Sequence, residues 1–174
     1  HGRTERGNLR ILLNRHGIDP SDREFLDFFK KTGRNYVACD RDAILLPYVK
    51  ETIERLSKEC CLGLTTGNSE IIARKKLKIV GLDEYFKIGG FGNESEHRGE
   101  LVKLAFNRAI NYGWRGDERS AYVIGDTDKD IASGKSAGLR TIGVTTGSET
   151  REQLENSKPD YIIENLSELE RVLI

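Results

Sequence analysis

The run Ala121-Tyr122-Val123-Ile124-Gly125-Asp126-Thr127-Asp128-Lys129-Asp130-Ile131 constrains the fold of this chain more than any other stretch. A short apolar segment ends abruptly in Gly-Asp, and a further carboxylate, Asp130, follows four residues after Asp126. Aromatic and β-branched residues before a turn and a helix opening predict a buried strand, a tight turn and the first turn of a helix. Asp126 then stands at the carboxyl end of a parallel strand, where open α/β sheets place their sites. Asp130 falls in the first turn of the next helix. Two carboxylates in one crevice suit a hard, oxygen-preferring cation such as Mg²⁺.

The rest of the chain fits around that run. Apolar strand patterns at 60–65, 85–92, 139–144 and 161–163 alternate with helical patterns at 70–80, 100–112, 129–136, 150–156 and 167–173. Such alternation predicts an α/β fold with a doubly wound, mostly parallel, Rossmann-like sheet. Pro47 opens a further helix at 48–57, with Val49, Ile53 and Leu56 on one stripe. Upstream, residues 3–34 are helical in pattern and nothing there is strand-like. Leu9, Ile11, Leu12 and Leu13 lead to Gly17; Asp19-Pro20-Ser21 makes a turn and cap; Phe25, Leu26, Phe28 and Phe29 lead to Gly33. Two short helices make a lid or a packing arm; they do not make a core.

Composition removes several classes of function. Lys plus Arg equals Asp plus Glu at 28 each, so no global basic field points to nucleic acid. No apolar run approaches the ~20 residues of a membrane span. The three cysteines, Cys39, Cys60 and Cys61, are odd in number and lack metal-type spacing, which predicts buried thiols in a reducing cytoplasm. His16 and His97 have no zinc-type spacing around them. Neither G-x-G-x-x-G nor G-x-x-x-x-G-K-[ST] follows any strand. The absence of methionine and of a signal-peptide pattern raises the expectation that the chain is a piece of a longer one.

Thr66, Asp126 and Asp130, in that order and spacing, carry a resemblance that covers nearly all of the sequence. The chain resembles the haloacid dehalogenase-like superfamily, in particular its phosphoglycolate-phosphatase-like members with a helical cap. Gly125-Asp126-Thr127-Asp128-Lys129-Asp130 looks like the superfamily's fourth motif, whose acidic pair holds Mg²⁺. Thr66, followed by Gly67 and Asn68 at a strand end, looks like the second motif, whose hydroxyl binds the transferring phosphoryl group. Leu45-Leu46-Pro47-Tyr48-Val49 resembles the return from cap to core, and Gly2-Arg3-Thr4 the approach to the cap. The implied organisation is a partial helical cap and hinge over residues 1–46 and a Rossmann-like core over 47–174.

Two departures bound what the resemblance implies. The third motif is normally a lysine near a helix start; here Arg98 is the first candidate for the phosphate-facing cation, with Lys103 second. A guanidinium keeps the charge while changing its geometry. The first motif, Asp-x-Asp-x-Thr, carries the nucleophile and does not stand before the cap. Asp40-Arg41-Asp42 is the sole Asp-x-Asp upstream of Thr66, and Pro47 follows too soon for the loop that such a core needs, so it is taken as hinge. The family mechanism attacks phosphorus with an aspartate, forms an aspartyl-phosphate and hydrolyses it with water. By that resemblance the full-length parent is an Mg²⁺-dependent phosphatase of a small phosphorylated metabolite, with Thr66, Arg98, Asp126 and Asp130 as its supporting shell. The sequence as given is then expected to be catalytically incomplete. Its central strand slot would be filled by a preceding segment or by a second chain, since unpaired buried backbone groups cost about 1–3 kcal/mol each. The alternative is a non-catalytic phosphate-binding or interaction module on the same scaffold.

Overall fold

The computed structural model describes residues 3–37 and 43–173; Cys39, Asp40 and Asp42 lie outside the described residues. The first two helices, α1 (Glu5–Arg15) and α2 (Asp22–Asn35), start on side-chain caps. Thr4 accepts the Gly7 N–H, and Ser21 with Glu24 forms a reciprocal capping box. Each cap satisfies helix donors that otherwise have no partner. Phe25 and Phe29 turn inward from α2 and are almost fully buried. The guanidinium groups of Arg6 and Arg10 lie 4.4 and 4.6 Å from the Phe25 ring centre, joining α1 to α2.

Next come α3 (Val49–Leu56), β1 (Gly63–Thr66), α4 (Glu70–Ile79) and β2 (Ile88–Phe91). They are followed by α5 (Arg98–Asn111), β3 (Tyr122–Gly125), α6 (Asp128–Ser136) and β4 (Arg140–Val144). The described chain closes with α7 (Arg151–Asn156), β5 (Tyr161–Ile163) and α8 (Glu170–Leu173). The helical arm is seated on α4. A side chain at Gly33 would strike Ile71 at 2.8 Å, and the Lys75 ammonium donates to the Gly33 carbonyl at 2.9 Å and the Tyr36 carbonyl at 2.6 Å.

Every ladder is parallel, as the strand–helix alternation predicts. Among the described residues the strands form two sheets, β1-β2 and β3-β4-β5. Thr66 stands opposite Phe91 in the first, and Gly125 opposite Gly143 in the second. No ladder joins β1 to β3 among the described residues. Exposure follows from that arrangement. All of β2 is buried, as is β4 after Arg140, whereas β1 has no fully buried residue and Ile124 of β3 is 40% exposed. Helix α5 spans the two sheets, packing against β1 and β2 and also against α6. The apolar core falls beside the second sheet, as Leu56, Ile142, Val144, Ile163 and Leu169, with Val102, Val123 and Leu139 under α5.

Three local expectations are corrected. The strand foreseen at 85–92 is shorter, because Asp83–Tyr85 is a 3-10 turn and the ladder begins at Ile88. Arg74 holds that turn by pairing with Asp83 and donating to the Phe86 carbonyl. The helix foreseen at 167–173 is split into a 3-10 turn, Leu166–Glu168, and α8. Cys60 and Cys61, expected to be buried, are exposed. They precede β1 instead of belonging to it, since the Cys60 N–H still bonds the Leu56 carbonyl at the end of α3, 2.7 Å away. Among the described residues no helix is long and apolar enough to cross a membrane.

Candidate active site

The turn after β3 is built around one side-chain network. Thr127 caps α6, its hydroxyl accepting the Asp130 N–H at 3.3 Å and donating to Asp130 Oδ2 at 2.8 Å. Arg98, the first residue of α5, donates to Asp130 Oδ1 at 2.6 Å. The pair is only partly solvated, with side chains 25% and 16% exposed, so charge-assisted bonding counts for more than at an open surface. Asp130 folds back over β3 so closely that a Cβ at Gly125 would sit 2.2 Å from its own Cβ. Asp126, at the strand end, accepts the Ser148 N–H at Oδ2, 3.2 Å away. A Cβ at Gly147 would lie 1.8 Å from that same oxygen, which is why a glycine stands there.

The loop from β4 to α7 reaches this turn a second time. The Asp128 N–H donates to Glu149 Oε2 at 2.7 Å. Burial pushes the Glu149 carboxyl above its ordinary range; the Asp128 N–H works against that shift, and the negative charges of Asp128 and Asp126 add to it. Glu149, Ser148 and Gly147 are site neighbours that the sequence did not single out. Their signal was the second Thr-Thr-Gly turn, Thr145-Thr146-Gly147, at a strand end like that of Thr66.

At the end of β1 the chemistry is mostly main chain. Thr66 Oγ1 accepts the Asn68 N–H at 3.2 Å. The Gly67 carbonyl accepts the Glu5 N–H, and the Gly92 carbonyl the Arg6 N–H, both at 2.8 Å. Gly92 in turn donates to the Asn68 carbonyl at 2.8 Å. The start of α1 therefore lies directly on the second-motif turn. Ser69, which opens α4, is 2% exposed, and its hydroxyl has no hydrogen-bond partner among the described residues.

The structure thus brings Arg98, Thr127 and Asp130 into one network with Asp126 beside it, and holds Thr66, Gly67 and Asn68 in a separate turn. No hydrogen bond joins Thr66 to Asp126 among the described residues. Lys103 is exposed on α5. Arg3, Glu96, His97, Arg98 and Lys129 line a groove between α1, α5 and α6, so its wall carries three cations and one carboxylate among small and apolar residues. Among the described residues no three His, Cys, Asp or Glu side chains are gathered in a metal-holding group. Asp126 and Asp130 nevertheless fit a hard cation by donor type, because Mg²⁺ takes one or two carboxylates and completes its shell with water and phosphate oxygens.

Comparison with known proteins agrees with this architecture. Residues 97–169, from the start of α5 into the final 3-10 turn, match the family model described as HAD-hydrolase-like. The chain is 29% identical over 162 residues to the pyrophosphatase PpaX of Anoxybacillus flavithermus, covering 90% of this chain and 72% of that one. It is 27% identical over 176 aligned positions to the phosphoglycolate phosphatase of Escherichia coli O157:H7, covering 96% and 68%. A solved haloacid dehalogenase-like family hydrolase from Streptococcus pneumoniae superposes with a TM-score of 0.65 at 24% identity, covering 75% of this chain. The match spans 60% of that solved chain's length. Over residues 97–169 the chain is similar to the haloacid dehalogenase-like hydrolases. The two relatives named above are a pyrophosphatase and a phosphoglycolate phosphatase.

Proposed function

We propose that the protein of which these residues form the supporting site is a cytoplasmic phosphatase acting on a small phosphorylated metabolite. The observation that carries the reading is the Arg98–Asp130 pair, which sets a cation and the second of two carboxylates at the carboxyl end of a parallel sheet. In this reading Asp126 and Asp130 hold Mg²⁺, which would neutralise charge on a phosphoryl group when bound. Arg98 turns its guanidinium toward the same anion, and Thr66 with the Gly67–Asn68 turn offers it hydroxyl and N–H donors. The groove that Arg3 and Lys129 line together with Glu96 carries a net positive wall, which favours an anionic substrate. The names of the two curated relatives, one a pyrophosphatase and one a phosphoglycolate phosphatase, support a small substrate of that charge. The helical arm of α1 and α2 acts as the remainder of a substrate-selecting cap.

The attacking carboxylate is assigned to a segment or second chain that pairs with β1 and β3. The single ladder partner that each strand has among the described residues, and their greater exposure, support this assignment. Hydrolysis of an aryl phosphate with Mg²⁺ tests both parts. An amino-terminally extended chain should turn over, the present chain should not, and Asp126→Asn in the extended chain should remove nearly all activity. Turnover by the present chain would return the nucleophile to Asp40. An extended chain that binds Mg²⁺ and phosphate without hydrolysis would instead support a non-catalytic binding module.

A further inference from the structure

Three consecutive residues of the β4–α7 loop touch two residues of the β3–α6 turn, Asp126 and Asp128. Gly147 lies flat against the Asp126 side chain, the Ser148 N–H bonds the Asp126 carboxylate, and the Glu149 carboxylate bonds the Asp128 N–H. The loop is itself held on both sides. The Thr145 N–H bonds the Ile163 carbonyl of β5 at 3.1 Å, and Thr150 caps α7 in a reciprocal box with Gln153. The Asp128 N–H is the first donor of α6 and has no acceptor within its own helix. Glu149 is therefore a cap supplied from outside the helix, on a loop that cannot easily move away.

We infer that Glu149 is a positioning residue, which fixes the start of α6 and so holds Asp126 and Asp130 in register for a divalent cation. The inference rests on the metal reading of Asp126 and Asp130 given above. It assigns Glu149 no contact with the cation: it acts through the Asp128 N–H. Its charge also deepens the negative potential of the turn, so a cation relieves repulsion among Asp126, Asp128 and Glu149. Reach and charge are separable. Glu149→Gln keeps an oxygen that can accept the N–H and loses the charge; Glu149→Asp keeps the charge and loses the reach; Glu149→Ala loses both.

The test uses two readouts on the chain as it stands: hydrogen exchange at the Asp128 amide, and calorimetric titration with Mg²⁺ alone. Glu149→Ala and Glu149→Asp should each speed Asp128 exchange about tenfold or more, while Glu149→Gln should leave it near the unsubstituted rate. Outer partners of metal ligands commonly alter affinity by about 10–100-fold. Mg²⁺ affinity should accordingly fall about tenfold in Glu149→Ala and recover in large part in Glu149→Gln. Unchanged Asp128 exchange in Glu149→Ala overturns the inference, as does Mg²⁺ affinity equal to that of the unsubstituted chain. If Glu149→Ala does not fold, the Gln and Asp variants still decide, since only a positioning role separates them in exchange. A flat Mg²⁺ titration of the unsubstituted chain would sink the metal reading instead, and the exchange data would still settle whether Glu149 clamps α6.

Discussion

The two strand ends that make the candidate site are held in different ways. At the end of β3 nearly every contact is a side chain with a charge or a hydroxyl: Arg98, Thr127, Asp130, Asp126 and Glu149. At the end of β1 the contacts are backbone groups packed at glycine distance, Gly67 on Gly92 and both under the start of α1. The first arrangement can be tuned one group at a time. The second is close to all-or-none, because a carbonyl cannot move aside for a methyl group.

The sharpest way to break that contrast is Gly92→Ala. Its new Cβ would lie 1.7 Å from the Gly67 carbonyl oxygen, so the two turns must separate. Overpacking usually costs about 1–3 kcal/mol, and a backbone obstacle puts this case at the upper end, about 3 kcal/mol by denaturant titration. A cost under about 1 kcal/mol would show that the β1 end yields as readily as the β3 end. Next in size is Arg98→Ala, which among the described residues leaves a mostly buried Asp130 with Thr127 as its side-chain partner. Denaturation should report a loss of about 2 kcal/mol, and a cycle with Asp130→Asn should show coupling above about 0.5 kcal/mol. Additive effects would remove the network from the β3 end.

Two smaller effects refine the comparison. Thr127→Ala should cost about 1–2 kcal/mol, since Thr127 both caps α6 and bonds a carboxylate, whereas Thr66→Ala should cost about 0.5 kcal/mol for one main-chain bond. Equal costs would mean that the side chains at the two ends matter alike. The smallest effect lies outside the site and serves as a control. Asp160 accepts from the N–H and hydroxyl of fully buried Thr141 at 2.7 and 2.9 Å. Burial pushes its carboxyl upward, but the Thr141 bonds outweigh it and hold it below the ordinary range. A lowered folded-state value stabilises above the unfolded range near pH 4 and is lost as pH falls beneath it. Asp160→Asn should therefore cost only about 0.3 kcal/mol at pH 7, discounted because Asp160 is exposed, and almost nothing at pH 2.

The same contrast explains what could be read from the sequence. Alternating apolar and helical patterns signalled the parallel α/β fold, because periodicity records which face is buried. Asp126, Asp130 and Arg98 stood out because their chemistry is in their side chains. Gly92 did not, since a close backbone approach leaves no sign beyond a small residue, and Gly67 stood out only as the turn after Thr66. Glu149 was hidden for another reason: one carboxylate among many has no local pattern, and its partner is an amide 21 positions away. The exposure of Cys60 and Cys61 was missed because an apolar run was extended into a turn that α3 still controls.

Helix α5 makes the geometry of the Arg98–Asp130 pair depend on packing far from it. It has 14 residues and is therefore about 21 Å long. A tilt of about 5° pivoting at Asn111 would carry Arg98 by about 2 Å, enough to part it from Asp130. The seat that prevents such a tilt is Leu101, Val102, Ala105 and Ala109, all buried against the sheets. Those aliphatic residues act as the bearing of a lever whose tip is the guanidinium. Even a single methylene at Ala109 would be magnified along its length before it reached Arg98.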